Sequence, residues 1–159
     1  MMKARCIGCA PWAECWSGGD GPDAGQDEAE AVAEQMAALY RGVFKSYPFP
    51  IFEAAYLRRS MGENFRYFGI ARDTRLLSLA ATESDAGGVE MTDFATLPEL
   101  RGQGAAQSLL LTMEEAMRER GIRTAFTIAR AYSTGMNVTF AKCGYAFGGT
   151  LTRNTNIAG

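Results

Sequence analysis

The chain has 159 residues, 47% of them hydrophobic and 21% charged, which is typical of one domain with a buried core. The sequence contains no apolar run near the ~20 residues that are needed to cross a bilayer. Its net charge of −2, without a block of one sign, argues against nucleic-acid and membrane partners and favours a small-molecule ligand. The sequence has no histidine, so any proton transfer falls to Asp, Glu, Tyr, Lys, Cys or water, and histidine-ligated metals are excluded.

The N-terminal segment has no regular pattern of apolar residues. Lys3 and Arg5 are followed by no sustained apolar stretch, so we expect no signal peptide and a cytoplasmic location. The stretch "ARCIGCA" (4–10) is compatible with a short edge strand. Residues 12–27 are dense in Gly, Asp and Pro, which predicts a loop or a disordered connector.

Three of the four cysteines, Cys6, Cys9 and Cys15, lie close together in "CIGCAPWAEC". They fit either a Cys-x-x-Cys metal or redox site, or free thiols in a reducing compartment. A closed zinc site needs four ligands, and no second cysteine pair and no histidine follows nearby. We therefore expect free thiols and no bound metal.

The next segment predicts two helices. Residues 28–46 carry apolar side chains at steps of three and four, which is typical of a helix with one buried face. "YPFP" (47–50) ends this helix, because proline disfavours helical backbone in the residue before it. A second, shorter helix is predicted around residues 52–61. The apolar positions of the first helix are Val32, Met36, Leu39, Tyr40 and Val43.

Three strands follow: "FRYFGIAR" (65–72), "LLSLAATES" (76–84) and "VEMTDFATL" (89–97), the last one closed by Pro98. Strict alternation along the third strand divides its side chains between two faces. On this prediction the side chain of Asp93 lies on the other face of the strand from that of Glu90. The two side chains share a face only if a bulge interrupts the strand between them. One face holds Glu90, Thr92, Phe94 and Thr96, and the other holds Met91, Asp93, Ala95 and Leu97.

The rest of the chain predicts a helix, a strand, a helix and a strand. The first helix has the clearest apolar stripe in the sequence and ends at Gly121, a typical left-handed cap. "TAFTIAR" (124–130) predicts a strand, residues 133–144 a helix from Ser133 to Gly144, and "YAFGGTLTRNTNI" (145–157) a last strand. We therefore expect an α/β (α+β) domain with one central sheet. The stripe consists of Ala106, Leu109, Leu110, Met113 and Met117.

A glycine-rich turn, "ELRGQGAAQSLLL" (99–111), joins the third strand to the striped helix. Gly102 and Gly104 allow a ligand to approach the backbone, the first N–H groups of the helix point outward, and Arg101 adds a positive charge. Together these features suit a pyrophosphate. The turn matches neither a P-loop nor a Rossmann fingerprint, and a turn without a ligand is the alternative.

The residues around the turn resemble a known family. Arg101-x-x-Gly104-x-Ala106 resembles the Arg/Gln-x-x-Gly-x-Gly/Ala signature of the GCN5-related N-acetyltransferases (GNAT), and "NVTFAKCGY" resembles the later helix of that family. "YPFPI", "VEMTDFATLPELRGQGAAQSLL", "AFTIARA" and "MNVTFAKCGY…GTLTRNTNI" are similar to the catalytic region of the β-lysine N6-acetyltransferases. The resemblance extends from residue 28 to the end and is strongest over 89–157. It implies one GNAT-type domain over 1–159, with 1–27 a poorly matching segment and a mixed central sheet flanked by helices.

This resemblance implies that the chain binds acetyl-CoA as a co-substrate and needs no metal. The pyrophosphate is expected on the backbone N–H groups of the glycine turn, with the Arg101 side chain a less direct contact. The pantetheine arm is expected along the third strand, and Asn137 and Phe140 on the later helix are expected beside the cofactor. The expected cofactor-binding residues are Phe94, Ala95, Thr96, Arg101, Gly102, Gln103, Gly104, Ala105, Ala106, Asn137 and Phe140.

The resemblance also implies catalytic roles. An acceptor ammonium has a pKa of ~10.4 and must lose a proton before it attacks a thioester. Glu90 stands where the family often has its general base, acting directly or through water, and Asp93 is the alternative. The tyrosine that serves the family as general acid is replaced by Phe140. Tyr145, Tyr132 or Ser133 could substitute for it, or the thiolate leaves unprotonated.

The function implied is acetyl transfer to the side-chain amine of a small diamino acid, β-lysine first among them. The acidic residues near the expected mouth suit a distal ammonium, and "YPFP" either shapes the acceptor pocket or is a turn packed on the core. A polyamine acceptor and a non-catalytic acyl-CoA-binding module are the alternatives. The seventh strand usual in the fold is missing, which implies a truncated copy or a sheet edge covered in a homodimer. The acidic residues are Glu83, Asp85, Glu90 and Asp93.

Overall fold

The computed structural model describes residues 14–18, 26–61 and 64–154. Over these ranges a strand and two helices precede three consecutive strands, which are followed by a helix, a short strand and a last helix. A single 3-10 turn, Pro98–Leu100, separates the fourth strand from the third helix. The elements are β1 Glu14–Gly18, α1 Gln26–Val43, α2 Ala54–Ser60, β2 Phe65–Arg72, β3 Arg75–Asp85, β4 Gly88–Thr96, α3 Ala105–Glu119, β5 Ala125–Phe126 and α4 Thr134–Lys142.

The five strands form one sheet in the order β1-β2-β3-β4-β5. Strands β1 to β4 pair antiparallel with their neighbours, and β5 pairs parallel with β4. The β2–β3 hairpin turns at Asp73 and Thr74, both with positive φ (47° and 71°), as in the two-residue turns that match the twist of paired strands. The parallel β4–β5 pair needs a crossover, and α3 supplies it. The mixed sheet flanked by helices is the fold predicted from the sequence.

Each face of the sheet has its own apolar core. On the α1–α2 face the buried side chains of α1 and α2 pack against Tyr67, Leu79 and Ala95. On the α3–α4 face the apolar stripe of α3 packs against Met91 and Phe140. The stripes predicted for α1 and α3 are confirmed at seven of their ten positions, and the other three are partly buried. Met36, Leu39, Tyr40, Leu109, Leu110, Met113 and Met117 are buried, and Val32, Val43 and Ala106 are partly buried.

Three sequence predictions are wrong. Residues 12–27 were expected to be a loop, but β1 lies there, because its backbone finds partners along the outer edge of β2. The strand expected at 124–130 is limited to Ala125–Phe126, since only these residues pair with β4. Residues 145–154, the described part of the expected last strand, form no strand because they pair with no other described strand. The edge strand expected at 4–10 lies outside the described residues.

No helix in the described part of the chain is long and apolar enough to span a bilayer.

Candidate active site

Strand β4 contains a bulge in its middle. Its register with β3 shifts between Leu79 and Ala81, so that Asp93 and Phe94 together lie opposite the single residue Ala80. Asp93 has φ +57°, an uncommon backbone conformation for a non-glycine residue and one compatible with the extra residue of a bulge. The bulge therefore breaks the strict alternation of side chains along the strand.

The side chains of β4 change faces at this bulge. Met91 and Phe94 both pack against the α3 face although they are three residues apart, and Ala95 packs against the α1 face. The Asp93 carboxylate is bound by Tyr47, which packs against the α1–α2 core. The prediction that strand geometry separates Asp93 from Glu90 is therefore wrong, for the reason that the sequence analysis named as the exception.

Asp93 is a buried carboxylate with two hydroxyl donors. It is 9% exposed, Tyr47 donates a hydrogen bond to its Oδ1, and the Thr92 Oγ1 hydroxyl donates to the same atom at 3.3 Å. Burial raises the pKa of Asp93 to about 6, and the two hydrogen bonds oppose that rise. Nearby charges act in both directions: Glu83 raises the pKa and Arg130 lowers it.

Glu90 is half-buried and directly opposite Glu83 in the β3–β4 pair. Burial raises its pKa above the ordinary value of 4.5, and a hydrogen bond with the Ile128 backbone lowers it. The neighbouring carboxylates of Glu83 and Asp93 raise it further. Three carboxylates thus act on one another on this face, which suits a cationic ligand. The side chain of Asp85 is outside the described part of the structure.

Arg130 lies close enough to Asp93 to lower its pKa. The guanidinium of Arg130 lies over the ring of Phe44, with Cζ 4.8 Å from the ring centroid, and over the ring of Tyr47 at 5.1 Å. Its Nη1 donates to the Tyr132 hydroxyl at 3.0 Å. The sequence gives no signal for Phe44 or Arg130. Tyr47 is the first residue of "YPFP", for which an acceptor-pocket role is one of the two predictions.

The glycine turn leaves open space at its two glycines. Gly102 and Gly104 have φ +75° and +81°, and a Cβ added at either would meet nothing within 4 Å. Gly104 is the N-cap of α3, and no side chain caps this helix. The Arg101 side chain turns back, its Nε donating to the Thr96 carbonyl at 3.1 Å, and Gln103 Nε2 donates to the Glu99 carbonyl at 2.8 Å. The backbone at the two glycines is therefore open to an anion.

The residues predicted on and after α4 have different surroundings. Asn137 is exposed, and its Nδ2 donates to the carbonyls of Arg130 (3.0 Å) and Ser133 (2.9 Å). Phe140 is buried in the α3-side core between Phe94 and Tyr145, with ring centroids 5.5 and 4.9 Å away.

Tyr145 lies on the α3 side of the sheet, against Phe140, whereas the carboxylates face α1 and α2. Its buried hydroxyl lies close to the Glu114 carboxylate. Burial and the nearby Glu114 carboxylate raise the pKa of Tyr145 well above its ordinary value. The structure thus brings Glu90 and Asp93 together and holds Tyr145 on the other face.

Metal ligands are not grouped within the described ranges, where no set of three or more His, Cys, Asp or Glu side chains could hold an ion. Of the cysteine cluster, Cys6 and Cys9 lie outside these ranges, and Cys15 is on β1. Cys143, after α4, is a free thiol whose pKa is raised by burial.

Comparison with known proteins gives a consistent result. The sequence pattern of the acetyltransferase (GNAT) family matches residues 29–145. A β-lysine N(6)-acetyltransferase of Methanococcus maripaludis is 43% identical over 132 residues, which are 82% of this chain and 48% of that protein. The N-acetyltransferase YodP of Bacillus subtilis is 39% identical over 78% of this chain and 46% of its own length. The chain thus spans about half the length of the curated relatives it matches.

Solved structures with much lower sequence identity share the fold. An aminoglycoside acetyltransferase from an uncultured soil metagenomic sample, in complex with trehalose, has a TM-score of 0.71 at 12% identity, covering 91% of this chain and 95% of its own. The ribosomal-protein-S18-alanine N-acetyltransferase of Escherichia coli has a TM-score of 0.63 at 15% identity, covering 83% and 76%. At these identities the likeness concerns the fold alone.

Proposed function

Because this chain belongs to the acetyltransferase (GNAT) family, we propose that it transfers acetyl from acetyl-CoA to the side-chain amine of a small diamino acid, with β-lysine the first candidate. The observation that carries the proposal is the grouping of Glu83 on β3 with Glu90 and Asp93 on β4, the strand that leads into the glycine turn. The relatives named β-lysine N(6)-acetyltransferase support the choice of acceptor.

The glycine turn fits the pyrophosphate of acetyl-CoA. Open space at Gly102 and Gly104 and the uncapped start of α3 would let backbone N–H groups of residues 102–106 approach an anion. β5 pairs with β4 only at Val89 and Glu90, which leaves the β4 backbone from Phe94 to Thr96 without a described strand on that side. We assign the pantetheine arm to this stretch. When bound, acetyl-CoA supplies the activated acetyl group and a thiol leaving group.

In the proposed mechanism Glu90 removes the proton from the acceptor ammonium. Glu90 is half-buried and its pKa is raised, so it binds a proton more readily than an ordinary carboxylate. Asp93 is bound by Tyr47 and Thr92, and its role is to position Tyr47 and to add negative charge that attracts the ammonium. The amine then forms the new N–C bond as the thioester C–S bond breaks and the thiolate leaves, and the nitrogen releases its second proton to water.

The leaving thiol needs no dedicated acid on the carboxylate face. A thiol pKa of ~8.5 makes the thiolate a tolerable leaving group near neutral pH. Tyr145 and Phe140 lie on the opposite face, in the α3-side core. We therefore place Phe140 and Tyr145 as packing residues beneath the cofactor region and propose departure of the thiolate itself. Asn137 is proposed to fasten the segment between β5 and α4 to α4 through its two hydrogen bonds.

The proposal is tested by measuring thiol release from acetyl-CoA with β-lysine, α-lysine and putrescine as acceptors. The molecular mass of each product is determined by mass spectrometry. We expect thiol release with β-lysine and a product heavier by one acetyl group. Thiol release with putrescine alone would identify a polyamine acceptor instead. Acetyl-CoA binding by calorimetry without thiol release from any amine would contradict the proposal and identify a non-catalytic acyl-CoA-binding module.

A further inference from the structure

Arg130 has a donor that finds no acceptor among the described residues. Its Nη1 is bound to the Tyr132 hydroxyl, but its Nη2 is buried and meets no hydrogen-bond partner among the described residues. No carboxylate of the described residues lies within ion-pair distance, 4.0 Å, of this guanidinium. A buried donor without a partner costs free energy, and a charged one costs more.

The position of this guanidinium is fixed by three side chains. The rings of Phe44 and Tyr47 lie against it, with Cζ at 4.8 and 5.1 Å from their centroids, and the Tyr132 hydroxyl accepts a hydrogen bond from Nη1 at 3.0 Å. The Arg130 backbone carbonyl accepts a hydrogen bond from Asn137 Nδ2 at 3.0 Å, which ties the segment after β5 to α4. The guanidinium group of Arg130 is therefore oriented before any ligand arrives. Less side-chain conformational entropy is then lost when the group binds a ligand.

Tyr47 connects the arginine to the acidic group. Its ring packs against the guanidinium, and its hydroxyl donates to Asp93. The site therefore has a cationic end at Arg130 and an anionic end at Asp93 and Glu90, separated by about one aromatic side chain. The lowering of the pKa of Asp93 by Arg130 agrees with this closeness. A short zwitterion with an amine at one end and a carboxylate at the other matches this arrangement.

We propose that Arg130 binds the carboxylate of the acceptor and so makes the site selective for a diamino acid over a diamine. The inference rests on the proposed function and adds the group that recognises the acid end of the acceptor. A carboxylate can accept two parallel N–H bonds from a guanidinium, which would give Nη2 its missing partner. Tyr132 is 68% exposed, and a shift of its side chain would admit the ligand to that edge.

The test compares two ligands that differ in the carboxylate. β-Lysine and 1,4-diaminopentane share the five-carbon diamine skeleton, and the second has a methyl group where the first has the carboxymethyl group. Each is titrated by calorimetry into protein saturated with CoA, so that no reaction takes place. The variants are Arg130→Gln, Arg130→Lys and the control Arg123→Gln, an identical change at an exposed arginine.

We expect Arg130→Gln to weaken β-lysine binding about 10- to 100-fold and to change diamine binding less than threefold. Arg130→Lys should restore part of the loss, since it keeps the charge without the planar fork. Arg123→Gln should behave as the wild type. Equal weakening of both ligands in Arg130→Gln would overturn the inference, because it would show that Arg130 only packs. Wild-type protein that binds the two ligands equally, or binds neither, would also overturn it.

Failure of this inference differs from failure of the proposed function. Binding of β-lysine through Arg130 without thiol release would support the inference and contradict the transferase. Thiol release at equal kcat/KM with β-lysine and 1,4-diaminopentane would support the transferase and overturn the inference. Thermal unfolding of each variant, measured alongside, identifies any loss that comes from misfolding.

Discussion

At the bulge of β4, the side chain of Asp93 is buried with two hydroxyl donors on one of its oxygens. Burial makes the charged form costly, so the carboxyl holds its proton to about pH 6 rather than its ordinary 3.8. Because the folded-state pKa is raised, the contribution of Asp93 to stability is full below about pH 4 and is lost as the pH rises through about 6. Asp93 therefore makes the protein less stable at neutral pH than at pH 4, relative to a residue that does not titrate.

Substitution of Asp93 by Asn should remove this dependence. Between pH 4 and pH 7 the free energy of unfolding of the wild type should fall by about 2–3 kcal/mol relative to Asp93→Asn, a difference obtained from a shift of about two pKa units. Urea unfolding of both proteins at the two pH values measures the difference. A difference in the free energy of unfolding that stays constant between pH 4 and pH 7 would contradict the raised pKa of Asp93.

Substitution of Glu90 by Gln should remove the proposed base. We expect kcat to fall about 100- to 10,000-fold with unchanged affinity for acetyl-CoA, because a positioned base contributes this much. The wild-type kcat/KM should rise with pH as Glu90 loses its proton, because the base acts when deprotonated and its pKa is raised. This rise of kcat/KM with pH should be absent in the variant.

Glu119→Gln, the same change at an exposed position, is the control for the Glu90 experiment. A larger fall of kcat in Asp93→Asn than in Glu90→Gln would identify Asp93 as the general base instead of Glu90.

The two ends of α3 carry glycines in the same left-handed conformation. Gly104 precedes the helix with φ +81° and Gly121 follows it with φ +76°, and a Cβ at either meets nothing within 4 Å. Any side chain at these positions therefore brings a similar backbone strain and no clash. Only Gly104 lies at the end where helix N–H groups are available to an anion. A comparison of substitutions at these two glycines therefore distinguishes the effect of backbone strain from the effect on anion binding.

We expect Gly104→Asp to weaken acetyl-CoA binding at least tenfold, because a negative charge at the start of α3 repels the pyrophosphate. Gly121→Asp should bind acetyl-CoA as the wild type does. Calorimetric titration of acetyl-CoA into the two variants and the wild type makes the comparison. Equal affinities in all three would mean that the turn does not hold the pyrophosphate.

At the scale of the whole molecule, one sheet supplies a face to each of two cores. The side chains of α1 and α2 cover one face and those of α3 and α4 the other. Loss of packing on either face therefore weakens the same strands, and we expect the described elements to unfold in one cooperative transition.

Two neighbouring leucines of α3 test this packing. Leu110 is 0% exposed and Leu111 is 43% exposed. Leu110→Ala should lower the free energy of unfolding by about 2–5 kcal/mol and shift a single transition, whereas Leu111→Ala should cost about 0.5 kcal/mol or less. Chemical denaturation followed by far-UV and near-UV circular dichroism measures both. Similar losses in the two variants, or separate transitions by the two probes, would contradict the arrangement.

The sequence by itself determined the features that depend on neighbours along the chain. The buried stripe of α3, the end of β4 before Pro98 and the left-handed backbone at Gly121 follow from periodicity, proline and glycine, whose effects are local. The family motif around the glycine turn also lies within a few consecutive residues, and family membership was predicted from it correctly.

Only the tertiary structure decided the arrangement of the candidate site. Alternation predicted the face of Glu90, but the face of Asp93 depends on a bulge that is defined by the pairing of β4 with β3. The stack of Arg130 on Tyr47 joins segments far apart in the chain, and β1 is a strand because β2 offers an unpaired edge. Such contacts depend on which segments the folded chain brings together, and short-range sequence pattern carries no information about that choice.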